Sequence, residues 1–102
     1  MTATEDLQRR WDAVMLRNYG TPPVALASGA GAVVTDVDGN EYVDLLAGIA
    51  VSSLGHAHPA IAEAVARQAA TLVHTSNLYL HEPGVALAER LAALVPAPTR
   101  VF

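Results

Sequence analysis

Gly48-Ile49-Ala50-Val51-Ser52-Ser53-Leu54-Gly55-His56-Ala57-His58-Pro59 sets small residues, two hydroxyls and a pair of histidines directly before a proline suited to open a helix. Small residues let a ligand or a second backbone approach closely, so the run has the makeup of a site lining. It is also where the chain changes character. Upstream the pattern is β-type, downstream it is helical.

Upstream, Val24 to Leu45 consists of short β-type runs broken by Gly29 and Gly31 and then by Asp36-Val37-Asp38-Gly39-Asn40. This predicts a small antiparallel meander. Residues 32–36 and 41–45 pair as a hairpin, with Asp38-Gly39 supplying the positive φ angles of a tight turn. Downstream, Pro59 opens a helix that carries Ile61, Val65, Ala69 and Leu72 on one stripe and the i,i+4 pair Glu63 and Arg67 on another, and that runs to about Val73. After His74-Thr75-Ser76-Asn77-Leu78-Tyr79, a second helix starts near Pro83, uses Val85 or Ala88, Leu91, Leu94 and Val95, and is stopped by Pro96 and Pro98. At the other end, Thr4 is the expected cap of a helix bearing Leu7, Trp11, Val14 and Met15 at helical spacing, closed by Asn18-Tyr19-Gly20. The expected organisation is a helical arm over 1–20, the meander and site-lining run over 21–58, and a helix-loop-helix over 59–102.

The composition narrows the class. Of 102 residues 52% are hydrophobic, enough for a globular chain, but one Phe, one Trp and three Tyr make the core thin for an independent fold. Net charge is −4 and the six basic residues, all arginine, form no cluster, which argues against nucleic acid as a partner. With no cysteine there is no disulfide framework or thiolate chemistry. The first residues lack a basic and apolar leader pattern, and no segment approaches ~18 unbroken apolar residues. A soluble cytoplasmic protein, with no membrane partner, is expected.

Each candidate chemistry meets a plainer alternative. His56, His58, His74 and His81 invite a metal reading, but no second close pair and no H-E-x-x-H helix accompany them, so His56 and His58 are expected to hydrogen-bond locally and shape the start of the Pro59 helix. A calcium loop fails on register. With Gly39 at the sixth position, Val34 and Leu45 fall where carboxylates are needed. Gly29-Ala30-Gly31 opens no helix and is expected to be a strand bend, and no carboxylate pair stands out among Asp36, Asp38, Glu41 and Asp44. Two linings remain, Gly48 to Ser53 and Ser76 to Tyr79, each with the alternative that its polar groups merely satisfy the local backbone.

Taken together, Asp36 to Asp44, Gly48 to Pro59, and His74 to Tyr79 with Glu82-Pro83 resemble the acetylornithine branch of the class III aminotransferases, pyridoxal-phosphate-dependent enzymes of fold type I. The resemblance runs from Trp11 onward and implies an α/β fold of which this is the N-terminal segment, an incomplete domain. It also implies pyridoxal 5'-phosphate as cofactor, and transfer of the δ-amino group of N-acetyl-ornithine to 2-oxoglutarate in arginine biosynthesis by a homodimer. By the same resemblance Ile49 and Val51 contact the substrate chain, while Ser76, Asn77 and Tyr79 border the site across the dimer interface. None is assigned a catalytic role and no metal is implied. Ornithine aminotransferases are expected to carry a tyrosine where Ile49 stands, and its absence favours an acylated or α-amino-free donor here, which leaves succinylornithine and 4-aminobutyrate enzymes as alternatives.

The chain has no lysine, so it lacks the residue that in this family anchors the cofactor covalently. It is therefore expected to be inactive alone, its closing Arg100-Val101-Phe102 reading as a strand begun and not finished. A self-contained, non-catalytic binding module that uses the two linings is the alternative of another class.

Overall fold

The computed structural model describes residues 1–102. Its elements are α1 (Ala3–Val14), β1 (Leu26–Ala30), β2 (Val33–Asp36), β3 (Glu41–Val43), the short turn α2 (Ala47–Ala50), α3 (Pro59–Ala69) and α4 (Glu82–Ala92). They fall into two units, Met1–Ala64 and Val65–Phe102, divided within α3.

In the first unit the three strands form the expected antiparallel meander in the order β1-β2-β3. Val33 pairs with Val43, Val34 with Tyr42 and Thr35 with Glu41, so the hairpin lies where the sequence predicts it. Its turn is longer than expected. Asp36 N–H donates to Asn40 O at 2.9 Å around the three-residue loop Val37-Asp38-Gly39. Such a loop needs one left-handed residue where a two-residue turn needs two, and Gly39, at φ 88°, supplies it alone. The Asp36 carboxylate fills the turn: it accepts from the backbone N–H groups of Asp38 and Asn40, from Asn40 Nδ2 and from the Tyr42 hydroxyl, at 2.8–3.0 Å. β3 stops at Val43 because the Asp44 side chain takes the N–H groups of Leu46 and Ala47 out of any ladder.

The cap of α1 is Thr2, two residues before the expected Thr4. Thr2 and Glu5 form a capping box, Thr2 Oγ1 accepting from Glu5 N–H at 3.1 Å and Glu5 Oε2 from Thr2 N–H at 2.8 Å. Asp38, in the hairpin turn, accepts from the N–H groups of Ala3 (2.7 Å) and Thr4 (3.2 Å), serving donors that the helix leaves free. The helix ends at Val14, short of Asn18-Tyr19-Gly20. The chain then returns along it: Thr21 Oγ1 donates to Asp12 Oδ1 at 2.6 Å and Gln8 Nε2 to Pro22 O at 2.9 Å.

In the second unit the winding of α3 stops at Ala69 and loosens before Val73. The Thr71 hydroxyl donates to Arg67 O and Gln68 Nε2 to Leu72 O, side-chain bonds that compete with the helical ladder. α4 begins at Glu82 under a cap that the sequence did not reveal. His81 Nδ1 accepts from Gly84 N–H at 3.3 Å, and a side chain at Gly84 would lie 2.8 Å from the imidazole. The helix ends at Ala92, and Leu94 and Val95 close only i,i+3 bonds, since the residue before Pro96 is disfavoured in the helical region.

Burial is slight. Val34, at 5% exposure, is the one buried large apolar side chain, while 29 others are exposed. The chain leaves 8787 Å² in water, against roughly 5,500 Å² for a folded monomer of this mass by the usual scaling. The apolar stripe of α3, with Ile61 and Val65, and that of α4, with Val85 and Leu91, are both open. The thin core expected from composition is what the structure contains.

Candidate functional site

The site-lining run is a loop closed at its base. Asp44 N–H donates to Ala32 O at 2.8 Å, and His56 exchanges two backbone bonds with Gly31, at 2.9 and 3.0 Å. Both ends of the loop thus stand on the Gly31-Ala32 turn of the β1–β2 hairpin. Between them, Asp44 Oδ1 accepts from Leu46 N–H (2.8 Å) and Ala47 N–H (2.9 Å), and Oδ2 lies 2.6 Å from His56 Nε2. An ionised carboxylate only accepts, so the imidazole nitrogen is the donor. The His56 bond, with those from Ala47 and Leu46, holds the Asp44 carboxyl down at about 2.

Three glycines give His56 its seat. A Cβ at Gly29 would come within 2.9 Å of the His56 side chain, and one at Gly55, itself at φ 86°, within 2.9 Å of Gly31 Cα. Gly31 is left-handed at φ 57°. The expected strand bend is therefore a docking face for the loop. His58 behaves as expected, its Nδ1 accepting from Ala60 N–H at 3.3 Å at the start of α3. His56 does not: its partner is twelve residues away. Spacing offered no sign of Asp44 among four neighbouring carboxylates, and of the three glycines only Gly55 adjoins His56 in the sequence.

Within the loop, Ala47, Gly48, Ile49 and Ala50 all have positive φ, at 51°, 63°, 62° and 62°. The left-handed region costs an L-residue about 1–2 kcal/mol, and here three of four successive residues adopt it while bearing a Cβ. Ala50 N–H to Leu46 O (3.0 Å) and Ser52 N–H to Ala47 O (2.8 Å) close the turn. Its product is two exposed apolar side chains, Ile49 at 82% and Val51 at 81%. A nearby open groove of about 540 Å³ is lined by Val24, Leu26, Val34, Tyr42, Leu45 and Leu46 among others, and includes neither of them.

In the second unit, Ser76, Asn77 and Tyr79 lie on the exposed link between α3 and α4. Ser76 is again left-handed, at φ 57°, and its Oγ accepts from Leu78 N–H at 3.3 Å. Leu78, Tyr79 and Leu80 are open to solvent. Each loop thus presents apolar and polar surface from a bent backbone. Neither presents an unengaged acid–base pair.

The family model for class III aminotransferases matches residues 14–102. This chain belongs to the class III aminotransferases. An acetylornithine aminotransferase of Mycobacterium tuberculosis (strain H37Rv) is 67% identical over 103 residues, covering 99% of this chain and 26% of that protein. Among solved structures, an N-acetylornithine aminotransferase of Stenotrophomonas maltophilia has a TM-score of 0.77 at 38% identity, and an ornithine aminotransferase of Toxoplasma gondii one of 0.84 at 33%. Each covers 92% of this chain, which spans 24% and 22% of theirs. This class III chain thus spans about a quarter of the length of the curated relatives it matches, and the meander and flanking helices are the part of the fold they share.

Proposed function

We propose that this chain is the N-terminal part of an acetylornithine aminotransferase, which moves the δ-amino group of N-acetyl-ornithine to 2-oxoglutarate in cytoplasmic arginine biosynthesis. The observation that carries this reading is the 67% identity to enzymes of that name over nearly the whole chain. In this reading residues 1–20 are an arm, 21–58 carry the first lining and 59–102 lead to the large domain.

Pyridoxal phosphate supplies an electron sink for the bonds at the amine-bearing carbon when bound. The residues present here do not make a site for it. The chain has no lysine, and neither exposed loop gathers cationic groups for a phosphate. The tasks left to this chain are shape and exclusion. Ile49 and Val51 wall the path of the donor's aliphatic stem, and Ser76, Asn77 and Tyr79 border the site from the other subunit of a homodimer. The exposed apolar faces of α3 and α4 support a role inside a larger assembly, because isolated monomers seldom leave so much apolar surface uncovered.

Replacing the matching quarter of the Mycobacterium tuberculosis enzyme by Met1–Phe102 tests the reading. The fused holoenzyme should turn over N-acetyl-ornithine with 2-oxoglutarate, and prefer it to ornithine, succinylornithine and 4-aminobutyrate. A folded, cofactor-loaded fusion that prefers one of the other donors would refute the assignment.

A further inference from the structure

The left-handed turn that exposes Ile49 does not hold itself. Its internal backbone bonds run from Ala50 N–H to Leu46 O and from the Val51 and Ser52 N–H groups to Ala47 O, and none reaches outside the loop. What fixes the turn to the sheet is Asp44. One carboxylate oxygen takes the N–H groups of Leu46 and Ala47, the two residues that lead into the turn, and the other takes His56 Nε2 at the far end of the loop. Both side chains are mostly shielded, at 15% and 29% exposure, and both backbones are hydrogen-bonded to Gly31-Ala32. A charge-assisted bond of 2.6 Å between them ties the two ends of the loop together at its base.

The geometry points to Asp44 and His56 as positioning residues for the amino-donor site, a clasp that sets where the strained turn presents Ile49. This rests on the reading of Ile49 as a wall of that site. Their part is to act through the Leu46 and Ala47 amides, which Asp44 holds directly and His56 holds through Asp44. A side chain on a turn that can unwind samples several positions, and selectivity between donors that differ in one acyl group depends on a fixed wall. The clasp therefore governs which donor is preferred more than how much enzyme is active.

The test uses the full-length holoenzyme that carries this segment, and reads the ratio of kcat/KM for N-acetyl-ornithine to that for ornithine. Ile49→Ala sets the scale, with an expected fall of about tenfold in the ratio. His56→Leu should lower the ratio by several-fold while the enzyme still loads cofactor. His56→Gln, whose amide nitrogen reaches about as far as Nε2 and still donates, should restore most of it. The double variant Ile49→Ala/His56→Leu should fall no further than Ile49→Ala alone, because the clasp acts through that side chain. If His56→Leu does not fold, Asp44→Asn gives the same comparison, since it keeps an acceptor for the two amides and removes the charge from the clasp. Equal losses for both donors, with the ratio unchanged while Ile49→Ala shifts it, would reduce the pair to a structural role and overturn the proposal. A ratio that Ile49→Ala itself leaves unchanged would instead defeat the reading of Ile49, and the positioning role would fall with it.

Discussion

At the scale of single residues, two aspartates of the first unit do unlike work with the same chemistry. Asp36 is buried at 6% exposure, and its carboxyl is held at about 2, first by Asn40 and with help from Tyr42 and Asp38, against the desolvation that acts the other way. Asp44 is held at about 2 chiefly by His56. Both lie below the ~3.9 of an unfolded chain, so each stabilises the fold fully above about pH 4 and loses that contribution as pH falls toward 2. Amide exchange in the full-length protein should show protection of Asn40, Leu46 and Ala47 fading across that window, and Asp36→Asn should blunt the change at Asn40 while leaving Leu46 unaffected. Gly55→Ala should cost about 1–3 kcal/mol, since its φ of 86° and the 2.9 Å approach to Gly31 leave no room for a methyl group. Thermal unfolding of the variant would read this, and an unchanged midpoint would contradict the seating of the loop on Gly31.

At the scale of elements, the strained turn gives a test of sign. In a right-handed helix Ala→Gly destabilises by about 0.5–1 kcal/mol. At Ala50, with φ 62°, relief of the left-handed strain offsets that entropic cost, so Ala50→Gly should be neutral or gain up to about 1 kcal/mol in the denaturation midpoint. A loss as large as that at an ordinary helical site would refute the strain. The elements that the sequence made legible are those fixed by local chemistry: the meander, whose alternation and Gly39 lie within a few residues, and α3, whose Pro59 start is a local signal. Boundaries slipped where a distant partner decided them. Thr4 was the expected cap, yet Thr2-x-x-Glu5 forms the box and Asp38 attends the next amides. α1 ends at Val14, and the chain beyond it is tied back to Gln8 and Asp12 by contacts 14 and 9 residues apart. Likewise the Asp44–His56 pair at the base of the loop that carries the exposed Ile49 and Val51 spans twelve residues, and periodicity carries no information at that range.

At the scale of the whole molecule, one buried apolar side chain among so many open ones makes an independent cooperative fold unfavourable. The isolated chain should show no sharp thermal transition and should expose apolar dye-binding surface, while the same segment within the full-length enzyme unfolds with the rest. A cooperative transition by the isolated monomer would favour a self-contained module over the enzyme reading. The isolated chain should also give no transamination with added pyridoxal phosphate, because it brings no lysine.

The reach of Asp38 to the first turn of α1 bears on the order in which the chain is made. A helix of twelve residues is marginal alone in water, and two of this one's opening amides are answered by a carboxylate 34 and 35 residues later. At ~5–20 residues per second, synthesis delivers that carboxylate roughly 2–7 s after Ala3. α1, which leaves the ribosome ahead of the hairpin, is therefore completed only when that hairpin has closed, and the meander is the template on which the arm is finished.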